Sequence, residues 1–247
     1  MKLALVADLH ANREAVAAVM AHARGQGADR YAFLGDYVGY GADPGWVVDL
    51  VREHVAQGAL AVLGNHDAAV VHEPLPGMAA DARAVIDWTR ARLDAEQLAF
   101  LAALPMSRTA HETLFVHANA WAPAEWAYIE SRNDAMRSLQ ATACRFTICG
   151  HAHVPMLYHL TGTGKAGDFA PTPGVAIPLS EQRRWLAIPG SVGQPRDANP
   201  AACYAMFDVT ARALTFHRVP YAHEAAAAKI RAAGLPPGLA ERLVHGG

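Results

Sequence analysis

Charge is scarce in this sequence. Charged residues make up 18% of the chain, and 21 Lys and Arg against 23 Asp and Glu leave a net charge of −2. A balance so close to neutral excludes a basic face for extended nucleic acid, so any affinity for phosphate must be local. Cysteine is scarcer still. Cys144, Cys149 and Cys203 form no spaced pair and two of them lie in or beside an apolar run, which speaks against a disulfide framework or a thiolate metal site and fits a reducing cytosol. No apolar run approaches the ~20 residues of a membrane-spanning helix. Asp8 and His10 interrupt the apolar N-terminus before a secretory core could form. Repeats and linker-like stretches are also missing. These absences lead us to expect one soluble, cytoplasmic domain over residues 1–247 with no membrane partner.

Apolar residues, by contrast, reach 52%, enough to bury a sizeable core as one large α/β domain. They are grouped in a repeated grammar, a short apolar run closed by a polar cluster. Leu3–Ala7 ends in Asp8-Leu9-His10, Tyr31–Leu34 in Gly35-Asp36, and Ala59–Leu63 in Gly64-Asn65-His66-Asp67. Leu114–Val116 ends in His117, Phe146–Cys149 in Gly150-His151-Ala152-His153, and Leu186–Pro189 in Gly190-Ser191. Buried strands closed in this way place chemistry where a sheet opens to solvent, so six strand ends are expected around one site.

Between the strands, helices are expected at about Asn12–Arg24, from Pro44 with Asp43 as its N-cap, at Ala79–Leu93, after the cap Asp94 to Leu104, near Asn133–Ala143, and in the tail from His223. Ser107–Val116 and Cys203–Val219 read as hairpins. Ala68–Met78 reads as a loop on the rim of the site. Thr161–Leu179, rich in Gly, Pro and Thr, reads as a flexible loop or the tip of an insertion spanning about 161–184.

The polar side chains gathered at the strand ends are Asp8, His10, Asp36, Asn65, His66, His117, His151 and His153. This mixed oxygen and imidazole set suits Mn²⁺, Fe²⁺, Co²⁺, Ni²⁺ or Zn²⁺. The Asp8/His10 and His151/His153 pairs are two residues apart, and in extended chain such pairs point the same way. One ion cannot use so many ligands, whereas two ions bridged by a carboxylate can. The other eight histidines, His22, His54, His72, His111, His159, His217, His223 and His245, lie outside these motifs and read as surface or core residues. Asn12 reads first as a helix cap, Arg196 as a partner of a phosphate or of Asp197, and Trp121 and Trp126 as loop anchors or stacking surfaces. Tyr37 and Tyr40 are placed on the rim.

The ordered set Asp-x-His, Gly-Asp, Gly-Asn-His-Asp, His, Gly-His-x-His resembles the calcineurin-like metallophosphoesterase superfamily. Gly190-Ser-Val-Gly-Gln-Pro-Arg-Asp197 and Arg218-Val-Pro-Tyr221 are similar to its small bacterial and archaeal phosphodiesterase branch. The resemblance implies a four-layer α-β-β-α sandwich of two mixed sheets with the site at the C-terminal ends of strands. It implies that Asp8, His10 and His153 hold one divalent ion, that Asn65, His117 and His151 hold a second, and that Asp36 bridges them. Mn²⁺ or Fe²⁺ are the first choices of metal, with Ni²⁺, Co²⁺ and Zn²⁺ also accommodated. Ions roughly 3.5–4 Å apart can generate a hydroxide that attacks phosphorus in line. His66 would protonate the leaving group and Asp67 would orient its ring.

The resemblance therefore implies a phosphodiesterase or phosphatase acting on a small phosphoester, a cyclic nucleotide among the candidates, with Asn12, Arg196 and Trp121 as candidate substrate contacts. Gly35-Asp-Tyr-Val-Gly-Tyr-Gly41 departs from the Gly-Asp-x-x-Asp-Arg-Gly of the protein Ser/Thr phosphatases and their dinucleotide-tetraphosphatase relatives. A catalytically silent metal-binding scaffold, a phosphomonoesterase and a dinucleotide polyphosphate hydrolase remain as alternatives.

Overall fold

The first strand, β1 (Lys2–Val6), shows why the chain stacks in layers. Its side chains alternate between two cores, as a strand's must. Leu3 and Leu5 pack with Phe115, Ile148, Leu157 and Trp185 of a second sheet, whereas Ala4 and Val6 pack beneath helices with Val16 and Val47. A strand buried on both faces needs a cover on each side. The computed structural model, which describes residues 1–72 and 80–247, supplies both covers.

The first sheet runs β3 (Leu60–Ala61), β2 (Arg30–Phe33), β1, β11 (Ala202–Asp208), β12 (Ala213–Val219), β9 (Ala176–Pro178). The second runs β4 (Ser107–Ala110), β5 (Thr113–Val116), β6 (Phe146–Ile148), β10 (Arg183–Ile188), β7 (Met156–Thr161), β8 (Ala166–Phe169). Both are mixed. β1, β2 and β3 are mutually parallel, as are β5, β6 and β10, and the remaining pairs are antiparallel.

Helices α1 (Arg13–Gly25), α2 (Pro44–Ala56) and α5 (Ala95–Ala102) cover the first sheet through Val16, Val19, Val47, Val51 and Leu101. On the second sheet, α6 (Arg132–Gln140) packs Ala135 and Leu139 against Val116, Leu186 and Ile188. The tail forms α7 (His223–Ala232) and α8 (Pro237–His245), which share a separate apolar cluster. The result is a four-layer α-β-β-α sandwich of two mixed six-stranded sheets. Among the described residues no helix is long and apolar enough to cross a membrane.

Local chemistry explains most of these boundaries. Asn12 caps α1 by accepting from Ala15 N, and Asp94 and Gln97 close a reciprocal capping box on α5. Three expectations are corrected. Asp43 precedes the Pro44 helix but makes no side-chain cap, because its carboxylate instead accepts from Lys229 Nζ at 2.7 Å and ties α2 to α7. Ala68–Val71 is not loop but the end of α3 (Asn65–Val71), which continues straight from the Gly64-Asn65-His66-Asp67 motif; the rest of the expected loop, 73–78, lies outside the described residues, as does the start expected at Ala79 for α4 (Ala80–Arg90).

The third correction concerns Thr161–Leu179 and the wider 161–184 segment. It contains β8, an edge strand of the second sheet, then β9, an edge strand of the first, then the start of β10. The segment carries the chain from one sheet to the other and back, so it is part of the sandwich rather than a flexible loop.

Candidate metal centre

Because β1, β2, β3, β5, β6 and β10 run in one direction, their C-terminal ends open at the same end of the sandwich. Asp8 and His10 follow β1, Asp36 follows β2, Asn65 follows β3, His117 follows β5, and His151 and His153 follow β6. All but Asn65 are buried to within a few per cent. The sixth end contributes scaffold rather than a ligand: Ser191 Oγ donates to the carbonyl of Asp8 at 2.9 Å and accepts from Gln194 N at 2.9 Å.

Convergence is achieved through the backbone, and the extended-chain argument for the Asp8/His10 and His151/His153 pairs does not hold. Asp8, His10, Asp36, His151 and His153 all have positive φ, between 46° and 67°. Residues held in the left-handed region cost of order 1–3 kcal/mol each, and such strain collects at functional sites. Asp and His tolerate this region better than most side chains, which suits the residue types found. Gly64 serves the same end, since a Cβ there would overlap the backbone N and Oδ1 of Asp36.

The donor atoms fall into two main groups, one on each side of Asp36. Asp8, His10 and His153 bring one ligand atom each within 4.8 Å of one another, and so do Asp36, His117 and His151. Asp36 Oδ2 lies 3.8 Å from His10 Nε2 and 3.3 Å from His117 Nε2, which places it between the groups. Asn65 Oδ1 joins the second group 3.0 Å from His117 Nε2.

The tautomers argue for cations in this cluster. His10 Nδ1 meets the carbonyl of Val38, His117 Nδ1 that of Leu34, His153 Nδ1 that of Gln194, and His151 Nε2 that of Trp126. A carbonyl only accepts, so each of these nitrogens carries the proton, and in a neutral ring the other nitrogen presents its lone pair. His117 Nε2 and His151 Nδ1 turn toward one another at 3.1 Å, and in the neutral His10 and His153 rings the two Nε2 lone pairs meet at 3.1 Å. Two lone pairs at that distance repel unless a cation lies between them. The outer hydrogen bond to a carbonyl is also the usual way a metal-ligating histidine is oriented.

Electrostatics agree. Burial drives His10 and His153 well below the ordinary imidazole range and His151 down to about 4, which keeps those rings neutral and their lone pairs available. Burial pushes the Asp8 carboxyl up to about 7. It opposes the charge on Asp36 as well, but His117, His66 and His10 around it hold that carboxyl well below the usual carboxylate range. His117 is the counterpart: burial acts against its charge, yet Asp36 and Asp8 push the ring up to about 9.

His66 stands beside this set and also reaches His10 and Asp36 with a ligand atom. It differs from the other four in its partner. Its Nε2 meets a hydroxyl, Tyr40 Oη, at 3.0 Å.

The expected role of Asp67 is corrected. Its carboxylate does not orient the His66 ring but accepts four backbone N–H groups, from Asp36, Tyr37, Val38 and Gly64, at 2.8, 2.9, 3.3 and 3.0 Å. It thereby pins the loop that carries Asp36. Asn12 has structural partners: Oδ1 caps α1 and Nδ2 donates to the carbonyl of Gly193 and to Tyr221 Oη. Trp121 is an anchor, packed on the α6 cluster with the Arg137 guanidinium 4.6 Å over its ring. Tyr37 is wholly buried and donates to the carbonyl of Val62, so of this pair it is Tyr40 that reaches the site. Asp197 is paired with Arg218, which leaves Arg196 to turn toward Tyr40 and Gln194, with Nη2 at 3.4 Å from Tyr40 Oη and 3.3 Å from Gln194 Oε1.

The sequence reading understated Tyr40 and missed Tyr128. Tyr40 had a signal, since it stands between Gly39 and Gly41, and a Cβ on Gly39 would strike His66 Nδ1. Tyr128 had none; it stacks on His151 with ring centroids 4.0 Å apart.

Comparison with known proteins fits this geometry. Residues 1–212 match the model of the calcineurin-like phosphoesterase superfamily domain. An uncharacterised protein of Methanocaldococcus jannaschii is 33% identical, over 99% of this chain and 98% of its own. The crystal structure of a metallophosphoesterase from Sphaerobacter thermophilus superposes with a TM-score of 0.89 at 35% identity, covering 100% of this chain and 99% of that one. A hypothetical protein from Pyrococcus horikoshii shares the fold, with a TM-score of 0.78 at 17% identity over 100% and 98% of the two chains. The chain belongs to the calcineurin-like phosphoesterase superfamily.

Proposed function

We propose that the protein is a metal-dependent phosphodiesterase acting on small phosphoesters, with a dinuclear centre of Mn²⁺ or Fe²⁺. The observation that carries this reading is the pair of donor groups on either side of Asp36, in which the ring nitrogens of His10 and His153, and of His117 and His151, converge at 3.1 Å. Asp8, His10 and His153 would hold one ion, Asn65, His117 and His151 the other, and Asp36 both. Two divalent ions there supply a lowered pKa for water and neutralise charge on a phosphoryl group.

The chain's own residues do the rest. Asp67 and the carbonyls of Val38, Leu34, Gln194 and Trp126 fix the positions of the ligands. Arg196 offers a guanidinium beside the cluster, suited to a phosphoryl oxygen that the ions leave free. His66, held between Asp36 and Tyr40, is the proton source for the leaving oxygen. A cyclic nucleotide has the size and charge for such a site.

The test is hydrolysis of bis-p-nitrophenyl phosphate by chelator-stripped protein reloaded with Mn²⁺. Release of p-nitrophenol that returns only with metal is the expected result. Protein that takes up two equivalents of Mn²⁺ and releases none would instead be an enzyme selective against this ester or a metal-binding scaffold.

A further inference from the structure

The chain is nearly neutral, yet three arginines meet at one point of the second sheet. A cavity of about 260 Å³ opens there, lined by Arg145, Arg183 and Arg184, with Leu160, Ala143 and Glu181 among its walls. It lies at the starting ends of β6 and β10, the strands whose opposite ends lead to His151 and Ser191. The cavity and the metal centre therefore occupy opposite ends of the sandwich.

Two of the three guanidiniums are held in place by backbone carbonyls. Arg184 donates to the carbonyl of Cys144 from Nε at 3.2 Å and from Nη2 at 3.0 Å, and Nη2 also meets the carbonyl of Thr142. Arg145 donates from Nη1 to the carbonyl of Glu181, while its buried Nε makes no hydrogen bond and lies 3.6 Å from Glu112 Oε2. Carbonyls orient a guanidinium but do not cancel its charge. Arg183 differs. Among the described residues it has neither a hydrogen bond nor a carboxylate partner, and its guanidinium stands 5.7 Å from the centre of the Trp185 ring.

Acid does little to offset this charge. Glu181 lines the cavity, but its carboxylate is engaged by Arg212, and Glu112 sets one carboxylate against Arg145. The excess positive charge is gathered in a concave space, which concentrates anions. Guanidinium forks already fixed in position match the oxygens of a phosphoryl group and lose little freedom on binding one. The volume falls just below the ~300–1,000 Å³ of small-molecule sites, which suits a small anion rather than a polymer.

We propose that this cavity is a second ligand site, which binds a phosphoryl dianion as inorganic phosphate or as a small phosphomonoester. Arg145 and Arg184 form its fixed face, and Arg183 closes on the anion. Leu160 and Ala143 supply an apolar wall for a short organic group. The inference does not rest on the phosphodiesterase reading, because none of these residues belongs to the metal centre.

Arg183→Gln is the informative variant. The native side chain holds no backbone group, so the fold should survive with Tm within ~2 °C of wild type. The full chain, stripped of metal and dialysed free of chelator, is titrated by calorimetry with inorganic phosphate and with phenyl phosphate. Ionic strength is held constant, at a pH well above the second phosphoryl pKa of ~6. The expected result is saturable binding at one site in the wild type and in Arg196→Gln, weakened ~10-fold or more in Arg183→Gln. Tighter binding of phenyl phosphate would assign the site to phosphomonoesters; equal or tighter binding of phosphate would assign it to the free ion. As a second readout, the ¹⁵Nε resonance of Arg183, assigned by its loss in Arg183→Gln, should shift along the same saturation curve. The second site would be overturned by a lack of saturable binding of both anions or by unchanged affinity in Arg183→Gln. Binding abolished in Arg196→Gln would overturn it too, by placing the anion at the metal centre. Metal-dependent hydrolysis by the wild type is untouched by any of these outcomes, so the two readings fail separately.

Discussion

Asp67 illustrates how much of this site is held by residues that touch nothing reactive. Two carboxylate oxygens accept four buried backbone N–H groups, two apiece, and three of those groups belong to the loop Asp36–Val38. An amide in its place offers a single acceptor and turns an NH₂ toward two donors. Each buried donor left without a partner costs about 1–3 kcal/mol, so Asp67→Asn should destabilise by about 2–4 kcal/mol. Urea unfolding measures that loss, and metal titration should show the Asp36-dependent ions binding more weakly. A variant within 0.5 kcal/mol of wild type, roughly the scatter of neutral surface changes, would contradict this account. At this scale the residue types were legible and their manner of acting was not. Acid, imidazole and amide side chains after apolar runs announce a metal site from sequence alone. The left-handed backbone that aims Asp8, His10, His151 and His153 leaves no such mark, because tertiary contacts impose it. For the same reason Asp67 was assigned to the ring beside it in sequence rather than to the loop across from it.

Among the elements, those whose sequence carries a local signal were read correctly in type: the capped helices α1 and α5, the hairpin β4–β5 and the hairpin β11–β12. The strands β8 and β9 were not. Ala166-Gly-Asp-Phe169 and Ala176-Ile-Pro178 are short, half-exposed and interrupted by Gly or Pro, as edge strands often are. Their ladders, not their composition, make them strands. If the segment is part of the sandwich, its inward residues should matter for stability as core residues do. Leu179, which follows β9, is 4% exposed in the core between the sheets, whereas Val175, which precedes it, is 52% exposed. Leu179→Ala should cost about 2–4 kcal/mol. Val175→Ala should stay within about 0.5 kcal/mol. Chemical denaturation of the two variants decides the point: a Leu179→Ala protein as stable as Val175→Ala would return the segment to the status of a dispensable loop.

At the scale of the whole molecule, two sheets packed face to face stabilise an end that is locally unfavourable. Five ligands sit in left-handed backbone, and two pairs of imidazole nitrogens meet at 3.1 Å. The inter-sheet core and the two helical layers supply the stability that this arrangement consumes. Divalent ions bound to the native state, and not to the unfolded chain, should give part of it back. Binding at a hundred times the dissociation constant stabilises by about 2.7 kcal/mol per site. For a chain of this length, 1 kcal/mol moves the midpoint of thermal unfolding by about 2–4 °C. One tightly held ion is therefore expected to raise Tm by roughly 5–11 °C over the chelated protein, and two ions by more. The sign does not depend on catalysis, so the measurement tests the centre separately from the reaction. Asp36→Asn adds the decisive comparison. That carboxylate lies between the donor groups, 3.8 Å from His10 Nε2 and 3.3 Å from His117 Nε2, and its loss should weaken both ions together and shrink the metal-induced rise in Tm to less than half. A rise that survives Asp36→Asn in full would mean that the ions bind independently of the shared carboxylate, and the dinuclear arrangement would have to be abandoned.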